Sequence, residues 1–262
     1  MSEPTITFEE CARRILQREL GRPVVLHDDG WKPGLYDLRV GDPHAPEIAI
    51  ECVGAVDKTR TETWNVGPAK GPLSLDLTRD WHVVLRPHAS VKAIKRKIAL
   101  VLQECELAQI TDFTPVDWSL KHRHPHIFSV LDALQIHSIA GFRGAGTGHV
   151  YLGMTGAGGP VDPYGSSVPG WIAEFLNAPD RTDVLRKLER SGAVRCHVFV
   201  GVSFAGVPWL VESYLGTRTE HVPAVSPDLP RFVDAVWIMY GRRGLHWDGS
   251  RWRLFDAIVP AA

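Results

Sequence analysis

Apolar positions recur along the chain with two periods, one helical and one of strands. Phe8, Cys11, Ala12, Ile15 and Leu16 fall three and four residues apart, the stripe of an amphipathic helix. Thr7, with Glu10 three residues on, reads as a capping box at its start. Gly21 and Pro23 end it. Val24–His27 reads as a short strand and Asp28-Asp29-Gly30 as a turn. Tyr36–Val40 and Ile48–Val53 are rich in apolar and β-branched residues and flank a turn at Gly41–Glu47 that holds two prolines, the pattern of a hairpin. The polar, Gly- and Pro-punctuated stretch 59–72 predicts a loop. Strands are expected at Leu73–Leu77 and Trp81–Arg86. Ser90 caps a second helix, with Ile94, Ile98, Leu102 and Cys105 as its apolar stripe. Thr111–Trp118 reads as a connector.

The second half is less regular. A helix is expected over Ile127–Ile139, a strand over Val150–Met154, and short helices over Trp171–Leu176 and Asp183–Glu189. Cys196–Val202 reads as a buried-type strand, Pro208–Leu215 is a helix with Pro in its first turn, and Ala235–Tyr240 is a strand. Leu245–Trp252 folds back on Asp248-Gly249 as a hairpin. The expectation is an α/β protein with an N-terminal domain over residues 1–112 and a C-terminal α/β region over 116–262; whether the two pack as one unit stays open.

Composition narrows the classes. The formal charge of −1 gives no global pull toward nucleic acid, so such binding needs a local basic patch. Lys92, Lys95, Arg96 and Lys97 crowd the first turns of the second helix, where the helix dipole favours acids instead. They are either a solvated face or a surface for phosphates. Four separated cysteines without C-x-x-C read as buried thiols in a reducing cytoplasm. Charges in the first twenty residues argue against a signal peptide, and no apolar run is long enough to span a membrane.

The hairpin carries the chemistry. In a register symmetric about His44, Val40 faces Ile48, Leu38 faces Ile50, and Asp37 faces Glu51. Directly opposed Cβ atoms are about 5 Å apart, and like charges there destabilise. Two such carboxylates call for a cation, a shared proton or a basic neighbour. One alternative is a plain salt bridge to Arg39; another is a slipped register that keeps the acids apart.

With Asp37 and Glu51 on adjacent strands after a helix, residues 8–107 resemble the restriction-endonuclease-like fold of the PD-(D/E)xK nuclease superfamily. Leu35-Tyr36-Asp37 stands where the Pro-Asp element would be, and Glu51-Cys52-Val53 where Glu-x-Lys would be. The resemblance implies a mixed sheet flanked by helices, followed here by a second α/β region. It implies a nuclease whose Asp37 and Glu51 hold magnesium, with manganese as a substitute, and whose lysine helps activate water. Glu10 would be a further acid from the first helix. Val53 replaces that lysine, and strand alternation puts it on the face of Glu51. Lys58 or Lys70, in the following loop, would then reach in. Lys92, Lys95 and Arg96 would hold the nucleic acid. The rival is an inactive module of the same fold that binds nucleic acid or assembles with protein, as a homo-oligomer or with another chain.

Other motifs carry less. Gly144-Ala145-Gly146-Thr147-Gly148 lacks the Lys and Ser/Thr of a phosphate loop and reads as a flexible loop. Lys121-His122-Arg123-His124-Pro125-His126 reads as an exposed linker rather than a metal site. Trp237, Trp247 and Trp252 read as core.

Overall fold

The structure is a computed structural model that describes residues 6–28, 34–86, 88–114, 118–143, 148–155, 160–203, 206–217 and 219–259. It is mixed α/β, with two mixed sheets flanked by helices. The chain divides into two compact units, Met1–Val56 with Gly159–Ala262, and Asp57–Gly158. The expected division at 112–116 falls inside the second of these. The cause is one long-range pairing. Strand Pro46–Ala55 runs parallel to Arg195–Val202, and parallel neighbours require a crossover connection. The second unit lies within that connection.

In the first unit, α1 (Phe8–Leu20) leads to β1 (Val25–Leu26), β2 (Leu38–Gly41) and β3 (Pro46–Ala55). In the second unit follow α2 (Lys58–Val66), a 3₁₀ turn (Pro68–Lys70), β4 (Leu73–Ser74), β5 (Asp80–Leu85), α3 (Val91–Leu107) and β6 (Asp112–Phe113). That unit ends with α4 (Trp118–Arg123), α5 (Pro125–Ala133), β7 (Ile136–Phe142) and β8 (His149–Met154). The first unit resumes with α6 (Val168–Asn177), a 3₁₀ turn (Pro179–Arg181), α7 (Thr182–Arg190), β9 (Arg195–Val202), α8 (Trp209–Gly216), β10 (Ala235–Tyr240), β11 (Arg243–Trp247) and β12 (Trp252–Asp256).

The seven-stranded sheet of the first unit has the order β1-β2-β3-β9-β10-β11-β12. Strands β3, β9 and β10 are parallel, and apolar clusters cover both faces. Burial on both sides explains why β9 reads as a near-continuous apolar run, broken only by His197 after Cys196. On one face, Ala12, Ile15 and Leu16 of α1 pack on Leu38, Ile50, Phe199 and Trp237. On the other, Ile172, Leu176 and Leu188 from α6 and α7 pack with Ala49, Val53, Val198 and Val200. Thr7 caps α1 by accepting from Glu10 N, and Gly21 closes it in the left-handed region at φ 63°, where glycine is at ease.

The second unit has a five-stranded sheet in the order β4-β8-β5-β7-β6. Trp81, Val83, Ile139 and Val150 on one face pack against Ile94, Ile98 and Leu102 of α3 and Ile127 and Leu131 of α5. Three local expectations fail here. The 59–72 stretch holds α2 and a 3₁₀ turn instead of a loop. The helix expected to Ile139 ends at Ala133, and Gln135, at φ 57°, reverses the chain into β7. The apolar spacing of Ile136 and Ile139 thus belongs to a strand that buries both. The histidine-rich run is the junction of α4 and α5 rather than a linker. The Asp29-Gly30 turn and the glycines at 144–147, 156, 158 and 159 lie outside the described residues. Among the described residues no helix is long and apolar enough to cross a membrane, and the four cysteines are free thiols.

Candidate active site

The hairpin adopts the expected register. Leu38 pairs with Ile50 and Val40 with Ile48, with a bulge between Val40 and Gly41. Leu38, Val40, Ile48 and Ile50 all enter the cluster under α1. Alternation therefore sends Glu51, with Ala49 and Val53, to the opposite face. Asp37 immediately precedes β2, and its Oδ2 accepts from Cys52 N at 2.6 Å. That bond ties the acid to β3 beside Glu51.

Glu51 is 3% exposed. Its Oε1 accepts from Lys187 Nζ at 2.8 Å. Its Oε2 is buried without a hydrogen-bond partner among the described residues. A buried carboxylate oxygen left unpaired is costly. It marks a place where a cation or donor would be stabilised.

Lys187 comes from α7, which packs along β3 and β9. Leu188 is the buried residue of this helix, with Val184 and Leu185 beside it. The next positions around the helix, Asp183 and Lys187, lie one turn apart. Lys187 runs its stem inward until Nζ meets Glu51, leaving the side chain 18% exposed. Arg181, just before α7, donates to Gly54 O at 3.4 Å and lies over the Phe175 ring, 4.5 Å from its centroid.

The electrostatics follow from this crowding. Burial and then the Asp37 charge push the Glu51 carboxyl up to about 7, against the pull of Lys187. Burial also raises Asp37, assisted by the charges of Glu9 and Asp28 and opposed by the Cys52 amide and Lys187. Burial alone would lower the Lys187 ammonium. The bond to Glu51 and the charges of Glu51, Asp37 and Asp183 outweigh it and raise the group. Lys187 is thus held in its charged form, and the cost of burial falls on Glu51. Several carboxylates act on one another here around one ammonium, and the excess is negative.

Glu10 and Arg39 are engaged by other partners. Glu10 is bound by two guanidinium groups, Arg13 at 2.6 Å and Arg14 at 2.7 Å. Those bonds hold its carboxyl down at about 2. The acid of α1 whose charge reaches Asp37 is its neighbour Glu9. Arg39 does not clamp the pair; its Nη1 donates to Gly41 O at 2.9 Å, toward the hairpin turn. Lys58 opens α2 and Lys70 closes the 3₁₀ turn after it. Both are exposed and belong to Asp57–Gly158, the unit that does not contain Asp37 and Glu51. Lys92, Lys95 and Arg96 are exposed on α3 in that same unit, and Lys95 Nζ donates to Val66 O at 3.3 Å. The ammonium at Glu51 is Lys187, which sequence reasoning missed.

Among the described residues no three His, Cys, Asp or Glu side chains converge to hold a metal ion. Two carboxylates with water completing the shell are nonetheless an ordinary magnesium site, and the unpaired Glu51 Oε2 fits that role. No family model, no curated protein and no solved structure matches the chain.

Proposed function

We propose that the protein is a divalent-metal-dependent phosphodiesterase that cleaves nucleic acid, on a restriction-endonuclease-like arrangement in which Lys187 replaces the lysine lost at Val53. The observation that supports this most is Glu51: buried, one oxygen on an ammonium, the other unpaired, and Asp37 alongside. Asp37 and Glu51 would hold magnesium or manganese. The bound ion supplies water activation and neutralises the charge that develops on phosphodiester cleavage. Lys187 fixes Glu51 through Oε1 and keeps two further N–H donors for a phosphate oxygen. Val53 packs in the apolar cluster, so an ammonium is better supplied from α7, where the stem can reach in from the surface.

The test is cleavage of single- and double-stranded DNA and RNA with magnesium or manganese. Asp37→Ala, Glu51→Ala and Lys187→Met should each lower the rate on the order of 10²-fold or more while circular dichroism shows them folded. Wild-type activity retained in all three sinks the assignment. The second reading, a non-catalytic module, is favoured by the Lys187–Glu51 bond itself, since an ammonium at 2.8 Å already balances one carboxylate. Calorimetry separates the two: no magnesium or manganese binding, with full stability in Asp37→Asn, selects the module.

A further inference from the structure

The open face of the second unit's sheet is built differently from the rest of the molecule. Helices α3 and α5 both pack on the face of Trp81, Val83, Ile139 and Val150. Alternation sends His82, Ala140, Phe142 and Tyr151 to the other face, and all four are exposed. Pairing brings them together on three neighbouring strands. His82 of β5 stands opposite Tyr151 of β8 and Ala140 of β7, and Phe142 stands opposite Asp80. The Phe142 and Tyr151 ring centroids are 6.0 Å apart at 31°, and His149 meets Tyr151 edge-on at 6.2 Å. Phe142 is 42% and Tyr151 40% exposed. Gly153 leaves room for the His82 ring, because a Cβ there would come within 2.7 Å of Nε2.

Rings held outward on adjacent strands cost the fold exposed apolar surface and return nothing to its core. Ring faces on a sheet are the surface on which unpaired bases stack. The unit as a whole is positive, although Lys92, Lys95, Arg96 and Lys97 lie on α3, which packs on the other face. Residues 57–158 hold 12 of the 29 Lys and Arg but 9 of the 30 Asp and Glu, so this unit is +3 within a chain of −1. Seven of the 12 histidines are here too. Arg143 directly follows Phe142, and Lys70 ends the turn that packs on β8; both are exposed. Asp80, the acid at the centre of this face, is buried at 3% and accepts from His149 N at 2.9 Å. Asp112, on edge strand β6 opposite Ala140, is exposed and sets one margin of the track.

We infer that this face binds single-stranded nucleic acid, with Tyr151 and Phe142 as base-stacking rings and Lys70 and Arg143 as phosphate contacts. The inference goes beyond the phosphodiesterase reading and does not depend on it. The test is fluorescence anisotropy of the full chain with labelled oligo-dT and oligo-U of fifteen nucleotides, in EDTA so that no cleavage intervenes. Tyr151→Ala and Phe142→Ala should each weaken binding on the order of tenfold, Tyr151→Phe should retain it, and Lys70→Ala/Arg143→Ala should flatten its salt dependence. Asp37→Ala should bind like wild type, so loss of cleavage with intact binding separates this surface from the acid site. Preference between oligo-dT and oligo-U identifies the natural strand. The inference is overturned if wild type binds neither strand, if a duplex binds equally well, or if only Lys92→Ala/Lys95→Ala/Arg96→Ala reduces binding. It is also overturned if sedimentation shows a dimer that Tyr151→Ala dissociates, which would make the face a contact between copies.

Discussion

Replacing Glu51 by Gln isolates the electrostatic cost at the centre of the site. Burial and Asp37 move the Glu51 carboxyl from its ordinary 4.5 to about 7. Each tenfold change in an ionisation constant is about 1.4 kcal/mol, so the ionised carboxylate costs the fold roughly 3 kcal/mol. Its side chain is 4% exposed, so solvent screens little of this, although Asp37 and Glu51 titrate as a pair and share it. The sign is fixed by proton uptake. Between 4.5 and 7 the folded chain keeps a proton that the unfolded chain has released. Wild-type stability therefore falls as pH rises through that window and stays low above it. Gln has the shape of the protonated carboxyl and does not titrate.

Urea unfolding followed by tryptophan fluorescence should find wild type and Glu51→Gln nearly equal at pH 4. The variant should be more stable by roughly 2–3 kcal/mol at pH 8.5. Magnesium should then raise the wild-type midpoint at pH 8.5, since a ligand of the native state stabilises it, and leave the variant unmoved. Parallel stability curves across this range would refute the burial argument. A magnesium effect equal in both proteins would refute the metal role of Glu51.

Lys187→Met should lower stability by about 1–3 kcal/mol at pH 8.5, because it leaves a buried carboxylate without its cation. That loss should shrink at pH 5, where Glu51 holds its proton; a pH-independent loss would point to packing alone. Val53→Lys should cost ~3 kcal/mol or more in urea unfolding and restore no activity to Lys187→Met, because the ammonium would enter the apolar cluster that holds Val53 at 6% exposure. His197 and His246, depressed to about 3 mainly by burial, should cost stability as pH falls from 6.5 toward 3. Imidazole titration by NMR near 6.5 in the native protein would contradict their neutral burial, and His246→Gln should flatten the acid slope.

What could be read in the sequence was local. The hairpin register follows from β-branched alternation on both sides of a Gly- and Pro-containing turn, so the adjacency of Asp37 and Glu51 was legible. The caps at Thr7 and Ser90 were legible for the same reason: each is a contact within four residues. The engagement of Glu10 is legible too. Arg13 and Arg14 lie three and four positions on, where helical side chains meet, and both take its carboxylate. Lys187 was not legible. It meets Glu51 across 136 residues, and Asp183–Glu189 looks like any amphipathic helix. Its one trace is Lys187 next to buried Leu188, a place where a long stem can follow apolar surface inward. The division into units is not legible because strand periodicity says which residues share a face and not which strands are partners. Strands β3 and β9 carry no mark in sequence that joins them across the second unit.

The near-zero charge of the chain concealed the most useful electrostatic fact about it. An overall −1 argues against attraction to nucleic acid only if the charge is evenly spread. Taken by unit, residues 57–158 are +3 and the remainder is −4. The negative part holds Glu51, Asp37 and Asp183, whose charges act on Lys187, and the proposed metal would sit at Asp37 and Glu51. The positive part holds seven histidines and the exposed rings Phe142 and Tyr151, on which the inferred single strand would stack. Neutralising the acids of the first unit should therefore change metal affinity while leaving the salt dependence of oligonucleotide binding intact. Removing Lys70 and Arg143 should do the reverse.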